Sequence, residues 1–429
     1  MKKLLFILLC LSLFFVSCSK IATDQVEESK EFSSLNEAES YYISLDQALC
    51  SLDEFFQMQE TKSIASREIS ETFIVDSPSI TKNSDNTALF HIVNFKNEKG
   101  YAILSADTRI PSEVLAVTER GSVSKDAFMV DSAADFSPAY LVYSSVMSYL
   151  GDAPGGFDEP DSVRILPPDP PELEEGEFEI TVIRWGPWEN IREVPVMLET
   201  AWGQESPYNK RISSGNSAGC TTTAGAQVFT YNGVPESIND VVIPYEVLKK
   251  KRSVSDTSVY ADSVAILFAD IYYNCKPKDT GSGTLIWPKH LVKYMKSNGY
   301  SNVELYKSLN YCDMNRVYIS LDKGYPVIMS AKANAFNAHT WVVDGYVKQR
   351  RSGQYIGWTT GSTYGGKTET REFVHCNWGW DGVDDGYFYS GVFNRNEPAP
   401  YASSKMSSLL PDSDGNYDSW YRIITYDII

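Results

Sequence analysis

Gly219-Cys220-Thr221-Thr222-Thr223-Ala224-Gly225-Ala226-Gln227 brings a cysteine to the point where a loop turns into a helix running to about Tyr231. A thiol at such a junction lies beside unpaired backbone N–H groups and the positive end of the helix dipole, both of which favour thiolate. A cysteine nucleophile also needs a proton acceptor and a group that orients it. The acceptor comes from four histidines: 91, 290, 339 and 375.

His91 falls in a strand-like run and His290 at a helix start, so both read as structural. His339 opens Thr340-Trp-Val-Val-Asp-Gly345, a strand expected to begin at a cleft edge, and is the preferred base. His375-Cys-Asn-Trp-Gly-Trp380 then offers Asn377, an amide able to accept from an imidazole N–H, and Trp378, an indole able to shield that bond from water. His375 shares the strand face of Asn377 and is the second choice of base. Upstream, Ala201-Trp-Gly-Gln204 supplies a side-chain amide that, with the Cys220 backbone N–H, could hold an oxyanion.

Around this centre, Thr221–Tyr231, Ser258–Tyr273 and Pro288–Ser297 suit helices. Arg316–Ser320, Pro326–Ala331, Thr340–Tyr346, Tyr355–Thr360, Arg371–Asn377 and Gly386–Phe393 read as strands, being aromatic or β-branched runs between Gly and Asp turns. A helical half followed by a sheet half, starting near Val194, predicts an α+β unit with a cleft between the halves.

Toward the N-terminus, residues 35 to 60 carry Leu35, Ala38, Tyr41, Leu45, Ala48, Leu49, Leu52 and Phe55 at helical spacing, with Cys50 near the apolar face. Short β-rich runs follow at 73–75, 88–95 and 101–105, the last two joined by Asn97-Glu-Lys-Gly100, a hairpin signal. This first unit is small and α+β. From Gly151 to Glu179 the composition turns to Pro, Gly, Asp and Glu, including Leu166-Pro-Pro-Asp-Pro-Pro171, so residues 151–193 read as an exposed linker open to proteolysis.

The whole chain has 429 residues, long enough for two domains that each bury a core. A net charge of -18 excludes a nucleic-acid binder, which needs clustered Lys and Arg. Met1-Lys-Lys3, the apolar run Leu4–Val16 and Ser17-Cys18 make an export signal too short to span a bilayer. It resembles a bacterial lipoprotein signal, which implies lipidation of Cys18, a membrane anchor through the N-terminal lipid and an extracytoplasmic location. Discounting Cys10 and Cys18 leaves Cys50, Cys220, Cys275, Cys312 and Cys376, an odd set that makes no disulfide framework.

Taken together, the motifs resemble the streptopain family of papain-clan cysteine peptidases. Trp202-Gly-Gln-Glu-Ser-Pro-Tyr-Asn209 is similar to that family's entry to the catalytic domain, and Gly219-Cys220 with Ala226-Gln227 to its nucleophile helix. His339 with Val343-Asp-Gly345 is similar to its histidine strand, and Asn377-Trp-Gly-Trp-Asp-Gly382 with Asp385-Gly386 to its indole-bearing turn. Phe95-Lys-Asn-Glu-Lys-Gly-Tyr-Ala-Ile-Leu-Ser-Ala-Asp107 and Arg109-Ile-Pro111 resemble the family's pro-domain. The family usually has Ala where Thr340 follows the histidine, and the loop from Asn209 to Gly219 is short; both departures bear on substrate pockets.

The resemblance implies a papain-like catalytic domain over 194–429, an inhibitory pro-domain over 19–150 that blocks the cleft, and no cofactor. The expected activity is endopeptidase hydrolysis of proteins or peptides through a Cys220 thioester, with His339, Asn377, Gln204 and Trp378 in support. The rival from another class is a surface lipoprotein that keeps the scaffold only to bind protein.

Three other motifs carry less. Gly215-Asn-Ser-Ala-Gly219 matches a serine-hydrolase elbow with Ser217 as nucleophile, but no apolar strand precedes it. Gly361-Ser-Thr-Tyr-Gly-Gly-Lys-Thr368 has the letters of a phosphate loop with no helix to follow. Asp412-Ser-Asp-Gly-Asn-Tyr-Asp418 is half a calcium loop without its closing Glu, and reads as a polar turn.

Overall fold

The β-branched and aromatic run that starts at Ala338 builds a strand of 20 residues, the backbone of the whole molecule. The computed structural model describes residues 41–59, 67–77, 88–128, 137–151, 181–213, 216–279, 283–308, 312–332, 338–357, 363–393 and 421–428. The signal with Cys18, most of the acidic linker and the Asp412–Asp418 turn lie outside these residues.

In chain order the sheet strands are β1 (Ile69–Asp76), β2 (Ala88–Phe95), β3 (Tyr101–Ser105), β4 (Val114–Thr118), β5 (Thr181–Trp185), β6 (Glu189–Val194), β7 (Tyr300–Ser308), β8 (Val327–Lys332), β9 (Ala338–Gly357), β10 (Thr363–Asn377), β11 (Gly386–Tyr389) and β12 (Tyr421–Ile428). The main helices are α1 (Leu45–Met58), α2 (Pro138–Gly151), α3 (Cys220–Asn232), α4 (Ala261–Asn274), α5 (Pro288–Lys296) and α6 (Met314–Asp322). All twelve strands join one sheet in the order β1-β2-β3-β4-β11-β10-β9-β8-β12-β7, with β5 and β6 paired to β9. The fold is α+β, as the sequence predicts.

Helix α1 starts where Ser44 and Gln47 close a capping box, the serine hydroxyl accepting from the Gln47 N–H and the Gln47 amide oxygen accepting from the Ser44 N–H. Its Ala48, Leu52 and Phe55 stripe packs on the sheet across the junction of the two units, with the Phe55 and Phe373 rings 4.8 Å apart edge to face. Helix α3 is buried along residues 221–230 and ends at Gly233, whose φ of 71° gives the left-handed cap. Trp202, Tyr208, Phe229 and Phe268 fill the core between the helical half and the sheet.

Four expectations are corrected. The run Arg316–Ser320 lies in α6, because Val317, Ser320 and Leu321 are buried at helical spacing and the Asp313 side chain caps the Arg316 N–H. Residues 181–185 and 189–193 of the expected linker lie in β5 and β6 on β9, the first of them a run with β-branched Thr181, Val182 and Ile183. Thr340–Tyr346 and Tyr355–Thr360 are not separate strands; β9 runs unbroken through the first and ends at Gly357. The expected strand Gly386–Phe393 ends at Tyr389, because Ser390–Phe393 turn into a 3-10 helix; across the junction, Tyr101, Ile103 and Tyr140 of the first unit pack in one cluster with Trp341, Val374 and Trp378.

The join between the units is a strand pair. Thr118, Val117 and Ala116 of β4 face Gly386, Tyr387 and Phe388 of β11 in antiparallel register. A Cβ on Gly386, whose φ is 157°, would sit 2.3 Å from the Val117 oxygen and 2.6 Å from the Thr118 Cα. Backbone atoms cannot yield by that much, so the pairing requires glycine. Gly386→Ala is therefore expected to weaken the docking of residues 41–151 by roughly 2 kcal/mol or more. Limited proteolysis checks this: the variant should lose its N-terminal unit at protease levels that wild type survives.

Candidate active site

Cys220 is the first residue of α3, and Gly219 before it has a φ of 82° that turns the chain into the helix. A side chain on Gly219 would press on the Thr284 carbonyl at 2.9 Å. Of the three threonines that follow, Thr221 and Thr223 are held by their hydroxyls. Thr221 Oγ1 donates to the Ile286 carbonyl at 3.1 Å and lies 3.0 Å from Thr340 Oγ1, while Thr223 Oγ1 donates to the Gly203 carbonyl at 3.2 Å. Thr340 immediately follows His339, so this contact brings the start of α3 to the start of β9. Cys220 itself is the residue before Thr221, at this same meeting point.

His339 is 4% exposed, and its Nε2 lies 2.9 Å from the Trp378 carbonyl oxygen. A carbonyl only accepts, so Nε2 carries the proton, and in the neutral ring Nδ1 is then the acceptor. The imidazole packs 4.5 Å from the Trp380 ring and lies nearly parallel to Trp341, and Trp378 stacks against both indoles. Trp380 was not singled out from the sequence, although it stands inside the quoted turn.

Burial raises the Cys220 thiol above its ordinary pKa, opposed by the hydrogen bonds to Thr340 and Thr221. Burial also lowers His339 to about 4, opposed by the Trp378 carbonyl. Both shifts favour the neutral thiol and the neutral imidazole.

Asn377 does not hold His339 itself, contrary to the expectation for it. Its Oδ1 accepts from Gln227 Nε2 at 2.9 Å and from the Gly379 N–H at 3.2 Å, and its Nδ2 donates to the Thr200 carbonyl at 2.7 Å. The imidazole partner is the next residue's backbone. A side-chain amide in sequence is easily read as the orienting group because carbonyls leave no mark on a sequence. Gln204 lies by the loop into α3: the Ala218 N–H donates to its carbonyl at 2.9 Å, and Ser217 Oγ donates to its Oε1 at 3.2 Å. Ser217 is thereby spent on Gln204, and turns rather than a strand precede it.

His375 belongs to a separate buried cluster. Its Nδ1 donates to Asp344 Oδ1 at 2.6 Å and its Nε2 lies 3.5 Å from Glu119 Oε1 of the first unit. Burial alone would depress this imidazole, but Asp344 and Glu119 raise its pKa well above the ordinary value. Held as a cation, it makes a poor base. Asp344 also accepts from the Leu198 N–H at 3.0 Å, and Asp385 accepts from the Trp378 N–H at 2.7 Å. Lys367, of the phosphate-loop-like stretch, sits in β10 with its Nζ 3.0 Å from Glu369 and no helix after it.

Acids flank β4 on both sides. Glu113 pairs with Arg351 at 2.9 Å and Arg371 at 3.6 Å, and Glu119 reaches His375 and, at 4.0 Å, Arg252. Arg371 is 2% exposed, and burial brings it down to about 10 against the opposing pull of Glu113. It stacks over Trp188, which also covers Arg351.

Residues 23–143 match the Spi protease inhibitor family, and residues 236–388 match the Peptidase C10 family. The second match begins after Cys220 and contains His339, Asn377 and Trp378. The thiol protease/hemagglutinin PrtT of Porphyromonas gingivalis is 24% identical over 341 residues, covering 72% of this chain and 34% of that protein. The chain thus spans about a third of the length of the curated relative it matches. The chain therefore carries a stretch similar to the Peptidase C10, or streptopain, family over residues 236–388, preceded by one similar to the Spi protease inhibitor family over residues 23–143.

Proposed function

We propose that this chain is the zymogen of a cysteine endopeptidase in which Cys220 is the nucleophile and His339 the general base. The observation that carries the reading is the Thr221–Thr340 contact, which brings the residue after Cys220 to the residue after His339, together with the Trp378 carbonyl on His339 Nε2, which makes Nδ1 the ring's acceptor. In the first step His339 takes the thiol proton while Sγ attacks the substrate carbonyl carbon. The negative charge that develops on oxygen is held by the Cys220 backbone N–H and the Gln204 side-chain amide, whose Oε1 is already turned toward Ser217. His339 returns the proton to the leaving amine, and water then hydrolyses the thioester by the same route in reverse. Trp378 supplies the carbonyl and, with Trp341 and Trp380, a dry aromatic wall around the base.

The first unit serves as intramolecular inhibitor, and a cut in the acidic, proline-rich stretch before Thr181 releases the enzyme. Lipidation at Cys18 anchors the zymogen outside the cytoplasm, and the cut frees the peptidase from its lipid. Protein substrates follow from the peptidase-type site and from the inhibitor-type unit matched to it. Burial of both side chains opposes a charged Cys220–His339 pair in this form.

In the cleaved protein, Cys220→Ala and His339→Ala are each expected to lower kcat/KM on an unstructured protein substrate by ~10³-fold or more, from their joint role as nucleophile and base. Fluorogenic casein hydrolysis measures this, and activity within tenfold of wild type in Cys220→Ala would exclude the assignment. In the uncut chain, Glu113→Gln with Glu119→Gln removes both acids of the clamp. Because Glu119 is well exposed and partly screened, the gain is moderate: labelling of Cys220 by iodoacetamide should quicken about 3- to 10-fold. An unchanged rate would mean that these ion pairs do not sustain latency.

A further inference from the structure

Gln227 is fully buried on α3, seven residues after Cys220 and so about two turns along the same helix. Its Oε1 accepts from the Trp202 N–H at 3.1 Å, and its Nε2 donates to Asn377 Oδ1 at 2.9 Å. Asn377 Oδ1 also accepts from the Gly379 N–H at 3.2 Å, while Asn377 Nδ2 donates to the Thr200 carbonyl at 2.7 Å and lies 3.3 Å from Gln227 Oε1.

Backbone groups fix which way both amides point. The Trp202 and Gly379 N–H groups can only donate and the Thr200 carbonyl can only accept. Oε1 of Gln227 must therefore face Trp202, and Oδ1 of Asn377 must face Gly379. The remaining contact has to be a donation from Gln227 Nε2 to Asn377 Oδ1.

The Gly379 N–H belongs to the same planar peptide as the Trp378 carbonyl that accepts from His339 Nε2. Fixing one side of that plane fixes the other, and donation from the N–H strengthens the carbonyl as an acceptor. Gln227 touches no reacting atom, yet it ties together the 200–204 segment that carries Gln204, the helix that carries Cys220 and the turn that holds His339.

We propose that Gln227 is a positioning residue for the peptidase: through Asn377 and the 378–379 peptide it sets the orientation and basicity of His339. This rests on the Cys220–His339 reading above. A purely structural role would require only that the volume at this position be filled and its polar contacts met somehow; the positioning role requires a donor aimed at Asn377.

The test compares Gln227→Met, which keeps the volume, with Gln227→Glu, which donates to Asn377 only when protonated. Both are measured in the cleaved enzyme, normalised to the number of sites titrated by a cysteine-directed epoxide. For Gln227→Met, kcat should fall about 10- to 100-fold at constant pH with KM within about threefold, as expected for a misaimed base. For Gln227→Glu, kcat should approach wild type at the acid end of the range. It should fall along a new descending limb as the introduced carboxyl ionises and sets two acceptors face to face.

The pH dependence of Cys220 alkylation is measured in parallel, because it reports the coupling of the thiol to His339 even without substrate turnover. It should shift in both variants. Wild-type kcat per site and an unshifted alkylation profile in both would overturn the proposal. So would loss of the folded state in both, which would assign Gln227 to stability. Absence of Cys220-dependent hydrolysis in wild type would refute the peptidase reading alone, and the alkylation profiles would still decide the role of Gln227.

Discussion

The register between β9 and β10 is the constraint on which the site depends. Val342 faces Asn377 and Val343 faces Cys376, so the turn that follows Asn377 is delivered back over the start of β9, where His339 lies. A slip of one residue would swap the two faces of the strand and take the Trp378 carbonyl away from the imidazole. Pairing of β8 with β9, with Ala331 opposite His339, fixes the same segment from the other side. His339 is therefore placed by the register of the sheet and by the turn that follows Asn377.

The same sheet also holds the inhibitor-type unit. β10 pairs with β11 and β11 with β4, so the strand that follows the base-holding turn is the one on which the first unit docks. Asp385 stands between these two duties: its side chain accepts from the Trp378 N–H, and its carbonyl accepts from the Glu119 N–H. Burial raises Asp385 to about 7, against the pull of the Trp378 N–H and of His375. Its neighbour Glu119 lies below the usual carboxylate range, because His375, Arg252 and Arg67 together outweigh the desolvation that would raise it. One residue of the sheet thus bonds both to the turn that holds His339 and to the first unit.

Much of the site was legible from residue types. Cysteine at a loop-to-helix junction and histidine at a strand start are local patterns, and both residues lie where those patterns put them. Asn377 marked the right turn with the wrong atom, because the partner of His339 is a main-chain carbonyl and side-chain letters cannot announce it. Gln227 was visible only as part of a motif; its importance comes from meeting Trp202 and Asn377, far away in sequence, inside a core.

The fold followed the same division. Helices α3, α4 and α5 could be read from their spacing, whereas α6 was obscured by Val317, Tyr318 and Ile319, residues common in strands. Strands β5 and β6 were hidden at the edge of an acidic stretch, since nothing local tells a short β-branched run that β9 has a free side to pair with. The docking of β4 on β11 depends on Gly386, whose need for a missing Cβ appears only when Val117 and Thr118 are set against it.

The central claim is that peptide-bond cleavage passes through a thioester on Cys220, and trapping that species tests it most directly. Cleaved enzyme mixed with an excess of an activated peptide ester, quenched in acid within milliseconds and digested, should yield an acylated fragment containing Cys220, absent when the site is blocked beforehand. Acylation at Ser217 or another residue, or turnover with no covalent species on Cys220, would contradict the account.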